Sequence, residues 1–101
     1  MYQDVQIKLD EIVTEMKQIG LWQDEPLEPA QYDFRAAFAL DTMAFNQWLQ
    51  FIFVPRVGQI LANQGTFPTR SQVGVQALRE FDTVPTAARL VELLCAFDDL
   101  F

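Results

Sequence analysis

The sequence predicts an all-α domain: a small bundle of three main helices plus one or two short ones, with the central helix kinked at Pro55. Three observations lead there. Apolar residues recur at steps of three and four along three separate stretches, the pattern of a helix that buries one face. No alternating apolar and polar pattern runs beyond a few residues, and the strand-like FIF at 51–53 keeps helical period on both flanks. The chain has 101 residues, half of them apolar, with nine Phe, so it supplies one substantial core and is too short for two. The expectation is a single folded domain over 1–101, with disorder excluded by the apolar content.

The first helix is predicted from Tyr2 to Ile19, where Val5, Leu9, Ile12, Val13, Met16 and Ile19 form one stripe. Asp4, Asp10, Glu11, Glu15 and the two lysines occupy the opposite, solvated face. Gly20 supplies the permissive backbone that commonly follows a helix end. In the next stretch, Pro26 and Pro29 disfavour helical geometry at Glu25 and Glu28. A short helix is predicted from Pro29 to about Phe34 or Ala37. Leu21, Trp22, Leu27, Tyr32, Phe34 and Phe38 need somewhere to pack, so this segment is predicted to fold back across the first helix.

The third stretch carries most of the information. Asp41 or Thr42 is positioned to cap a helix start, and Gly65 follows the last plausible turn. At regular helical spacing Phe45, Trp48, Leu49, Ile52, Phe53, Val57 and Ile60 share a wide face, whereas Phe51, Val54 and Leu61 point elsewhere. A helix apolar nearly all round is a central one. Pro55 removes the hydrogen bond to the Phe51 carbonyl and crowds that turn, which predicts a kink or a break into two helices. After Gly65 come a loop, a short helix around Val75 to Phe81, and a last helix capped at Thr83. Ala87, Leu90, Val91, Leu94, Phe97 and Phe101 form its stripe.

Charge narrows the function. Fourteen Asp and Glu against seven Lys and Arg leave −7, which repels a nucleic-acid backbone and an anionic bilayer, so neither is an expected direct partner. There is no His and one Cys, Cys95, which removes the common zinc sites, His-based nucleophile activation and an intrachain disulfide. The N-terminus lacks the pattern of a secretory signal, no stretch has the ~20 apolar residues of a membrane span, and a lone thiol suits a reducing compartment. The expectation is a cytoplasmic protein without cofactor or metal.

The LWQ at 21–23 followed by Pro26, the DTM at 41–43, Phe45, and above all the WLQFIFVPR at 48–56 resemble the YqcC-like family of small uncharacterised bacterial proteins. The resemblance extends over nearly the whole chain, to the closing AFDDLF. Two departures are visible: Phe51 stands where family members more usually carry Trp, and Ala37-Phe38 stands where a Pro-Phe often precedes the DT. The resemblance implies a compact helical bundle and no known activity. Genes of the family often lie beside one for a pseudouridine synthase that modifies tRNA, which suggests an accessory role in that modification.

Candidate sites follow from residue chemistry. From Thr42 to Pro55 no residue is charged, and Gln47 and Gln50 interleave with Trp48 and Phe51. Such a surface dries cheaply and still orients a partner by hydrogen bonds. Gln47, Gln50, Phe51 and Val54 would lie along any exposed side; alternatively the amides satisfy loop backbones inside the fold. Arg56 falls on the apolar face of a regular helix, where it would hold a carboxylate or phosphate, pair with Asp41, Asp98 or Asp99, or be rotated to solvent by the kink. Trp22 and Gln23 would line a groove, or Trp22 would lid the core. Asp41 and Thr42 are a polar pair that capping explains. Cys95 has no basic neighbour in sequence to activate it.

The leading function is a non-enzymatic interaction module that binds another protein or itself through the Trp48 helix or the LWQ loop. The alternative is a pocket for a small anionic ligand between the kinked helix and the LWQ loop, with Arg56 as the anion holder. Catalysis is disfavoured, because no paired-carboxylate spacing, phosphate loop or nucleophile elbow is present.

Overall fold

The computed structural model describes residues 1–101 and contains helices, tight turns and loops, with no strand. Helix α1 spans Tyr2–Gln18 and buries Val5, Leu9, Ile12 and Met16, four members of the predicted stripe. It stops at Gly20, whose φ of +77° is costly for other residues. The Gly20 and Leu21 amides donate back to the carbonyls of Lys17 and Met16, closing the helix end.

The next region contains less helix than predicted. Pro29–Tyr32 forms one 3₁₀ turn and Ala37–Ala39 a second. Between them and the central helix, Phe38 and Ala39 both adopt positive φ, at 56° and 53°. This double left-handed step turns the chain back, with the Phe38 ring seated 4.9 Å from Trp48 and 5.8 Å from Phe45. It also overturns the capping expectation for Asp41 and Thr42. Asp41 faces backwards and accepts the amides of Arg35 and Ala36, while the Thr42 hydroxyl donates to the Gln31 carbonyl. The central helix starts later, at Phe45, where Gln47 Oε1 accepts the Ala44 amide.

That central helix runs as α2 (Phe45–Trp48), a π-helical stretch Leu49–Phe53, and α3 (Val54–Asn63). The predicted interruption at Pro55 takes the form of this wide turn. Pro55 has no amide to give to the Phe51 carbonyl and its ring would press on that carbonyl. One extra residue in the preceding turn relieves both, and the Val54 amide reaches the Leu49 carbonyl instead. The helix ends on Gln64 in left-handed geometry, one residue before the Gly65 expected to follow it.

Helix α4 (Val73–Glu80) starts two residues before the expected Val75, and α5 (Ala88–Asp98) is preceded by a 3₁₀ turn at Pro85–Ala87, with Val84 rather than Thr83 at its cap position. α1 packs on α5 and α3, and α4 packs on α5. Their apolar faces meet in one core with Trp48, Leu49, Phe53 and Met16 among its members. Gly74 sets the α4–α5 spacing: a Cβ there would sit 2.6 Å from the Cys95 Cα.

Asp98, in the last turn of α5, reaches across to the start of α4. Its Oδ1 accepts the Ser71 hydroxyl and the Val73 amide, and its Oδ2 accepts the Gly74 amide at 2.8 Å. An ionised carboxylate on free amides at a helix start is a strong cap. Asp98→Ala is expected to cost about 2–3 kcal/mol, with Asp98→Asn in between. Urea titration measures both; a loss below ~0.5 kcal/mol would remove Asp98 from the forces that hold α4.

Candidate functional site

Two places gather the residues singled out from the sequence. The first is the seam between the Trp48 segment and the LWQ loop. Gln50, expected on an exposed side, is buried; its Nε2 donates to the Gln23 carbonyl at 2.7 Å and its Oε1 accepts the Gln23 amide at 2.9 Å. One side chain thus satisfies both backbone groups of a loop residue. Gln47 Nε2 donates to Gln23 Oε1, and Asn46 Nδ2 to the Leu21 carbonyl. The amides tie the loop to the helix. What remains half-exposed is a ledge of Trp22, Gln47, Phe51 and Val54, with the Lys17 ammonium 5.2 Å from the centre of the Trp22 ring.

The second place is a cavity of about 270 Å³ between α3, the 67–73 segment and the end of α5. Buried Trp48, Phe53, Val57, Val73 and Phe97 make its floor. Arg56, Phe67, Pro68, Arg70 and Phe101 stand at its rim. The sequence placed Arg56 on the apolar face, but the π turn carries one residue more than an α turn and rotates it outward, where it is exposed. It pairs with no carboxylate: the ion pairs are Lys8–Glu11, Arg89–Glu11 and Arg89–Glu92. The pocket expected beside the LWQ loop, lined by Trp22, Trp48 and Arg56, is therefore corrected. Trp48 and Arg56 share a cavity, and Trp22 is not part of its lining.

Sequence reasoning missed Arg70, Phe67 and Phe101 here, although a signal existed. All fourteen carboxylates lie at positions 4–41 and 80–99, so residues 42–79 carry Arg56, Arg70 and Arg79 with no acid among them. That acid-free run supplies most of the lining.

Asp41 and Cys95 show shifted acidity, each with a structural cause. The Arg35 amide, followed by the Ala36 amide and the Arg35 charge, holds the Asp41 carboxyl below the usual aspartate range despite some desolvation. A carboxyl with lowered folded pKa adds stability above its unfolded pKa and loses it as pH falls through the folded value. The stability difference between wild type and Asp41→Asn is accordingly expected to hold at neutral pH and shrink below about pH 4. Chemical denaturation across pH measures this, and a difference that persisted undiminished to the lowest pH would contradict it. At Cys95, desolvation and then the charges of Asp98 and Asp99 push the thiol up, away from a nucleophilic thiolate. No three His, Cys, Asp or Glu side chains gather in a way that could hold a metal ion, and no helix is long and apolar enough to cross a membrane.

Comparison with known proteins adds a family. Residues 4–100 match the family profile described as DUF446, tRNA pseudouridine synthase C. An uncharacterised protein of Haemophilus influenzae is 27% identical over 91% of this chain and 87% of its own length. The uncharacterised protein YqcC of Escherichia coli is 27% identical over 63% of this chain and 59% of its own. A protein of Pectobacterium carotovorum named tRNA pseudouridine synthase C is 31% identical over 63% of this chain, which corresponds to only 17% of that protein. No solved structure matches the chain.

Proposed function

Because the chain belongs to the DUF446 family, we propose that it is a non-catalytic companion of a pseudouridine synthase acting on tRNA, and that it binds the enzyme rather than the RNA. The observation that carries this reading is one of proportion. The Pectobacterium protein bearing the synthase name is several times longer than the stretch it shares with this chain, so most of that enzyme has no counterpart here. A small segment that accompanies an enzyme in one polypeptide is a natural partner for it when the two are separate. The absence of an activated side chain agrees: Asp41 is occupied with a turn and the Cys95 thiol is held protonated.

The net charge of −7 favours encounter with a basic, tRNA-handling enzyme and disfavours tRNA itself. The docking face is the ledge of Trp22, Gln47 and Phe51, where two aromatic rings are half-exposed on a loop and helix already locked together by Gln50. Such a role puts the chain in the bacterial cytoplasm, where a lone thiol stays reduced.

Isothermal titration of the purified chain into a purified tRNA pseudouridine synthase C tests it. Saturable binding is expected, weakened about tenfold or more by a Trp22→Ala, Phe51→Ala double variant that keeps its helical circular dichroism. No heat with the enzyme, together with a gel shift of tRNA by this chain alone, would overturn the reading.

A further inference from the structure

We infer that the cavity between α3 and the end of α5 binds a small organic anion, one with a single ring or a compact apolar body and one carboxylate or phosphate group. The body would rest on Trp48, Phe53 and Phe97, and the anionic group would meet Arg56 and Arg70.

Charge is the first support. The chain holds twice as many acids as bases, yet no carboxylate lines this cavity and two of its seven basic residues do. Neither arginine is in an ion pair. Asp98 comes nearest through its partner Ser71, but both of its oxygens are occupied by the Ser71 hydroxyl and the Val73 and Gly74 amides. Two exposed guanidiniums beside an apolar floor are suited to an anion, which their planar donor forks grip with directional hydrogen bonds.

Shape is the second. A volume of about 270 Å³ lies at the small end of ligand pockets, room for about one ring and not for a nucleotide or an extended peptide. The aromatic wall is fixed beforehand. Phe67 packs 5.5 Å from Tyr2 and 5.3 Å from Phe101, and Phe101 packs 5.1 Å from Phe97. The Tyr2 hydroxyl reaches the carbonyls of Gln64 and Gly65 and anchors the loop that carries Phe67. A preformed wall lowers the ordering cost of binding.

The inference does not rest on the companion reading. Nitrogen–proton correlation spectra of the full chain, titrated with phenyl phosphate, phenylacetate, benzyl alcohol and inorganic phosphate, test it. Phenyl phosphate or phenylacetate is expected to produce saturable shifts at the Trp48 indole and in residues 67–73. An Arg56→Gln, Arg70→Gln double variant should lose about tenfold or more of that affinity while its spectrum stays folded, since both side chains are exposed. The Trp22→Ala, Phe51→Ala variant should bind phenyl phosphate as wild type does, which separates this cavity from the docking ledge. No shifts at millimolar probe would overturn the proposal. Equal binding of benzyl alcohol, or inorganic phosphate binding as tightly as phenyl phosphate, would do the same.

Discussion

Gly74→Ala is expected to lower stability by about 3 kcal/mol or more, a fall in Tm on the order of 15 °C for a domain of this size. The added methyl would lie 2.6 Å from the Cα and 2.7 Å from the backbone nitrogen of Cys95. Neither atom can rotate away, so α4 and α5 must separate along their contact. The backbone origin of the clash gives a further check. Shortening the opposing side chain by Cys95→Ala should not rescue the variant, although the Cys95 sulfur is also close, at 2.8 Å. Thermal melts followed by circular dichroism decide it, and a Tm within about 4 °C of wild type would show that the helices yield easily.

Trp48→Ala is expected to cost about 3–5 kcal/mol. Trp48 is only 8% exposed and stands at the centre of an aromatic cluster, 4.9 Å from Phe38, 5.7 Å from Phe45 and 5.7 Å from Phe53. Removing it takes away the support on which the left-handed Phe38 turn rests and opens the floor of the arginine-rimmed cavity. Trp22→Ala, at a half-exposed site, should cost about 1 kcal/mol, so the two tryptophans separate core from surface in a single pair of urea titrations. Equal losses would place Trp22 in the core instead.

The helical stripes were legible because they depend only on neighbours three and four positions away. Val5, Leu9, Ile12 and Met16 in α1, and Leu90, Leu94 and Phe97 in α5, are buried as their spacing requires. The readings that failed lie where local period breaks. Pro55 announced an interruption, but not that it would be absorbed by a wide turn before it, and that one residue moved Arg56 to solvent. Asp41 has the composition of a helix cap, but two consecutive positive φ angles at Phe38 and Ala39 aim it back at Arg35. Nothing in either residue type announces that geometry. The cavity was invisible for a different reason: its walls join Trp48 with Phe67, Arg70 and Phe101, which only the packing of α5 against the rest brings together.

The clasp of Asp98 on Val73 and Gly74 has a bearing on how the domain breathes. Eight residues of α4 are too few to persist as a free helix, and its leading amides are held by the final turn of α5. The two therefore open as one cooperative unit. Amide protons in both segments should exchange with deuterium at matched rates, and trimming the chain back past Asp98 should accelerate them together while α1 keeps its own slower clock.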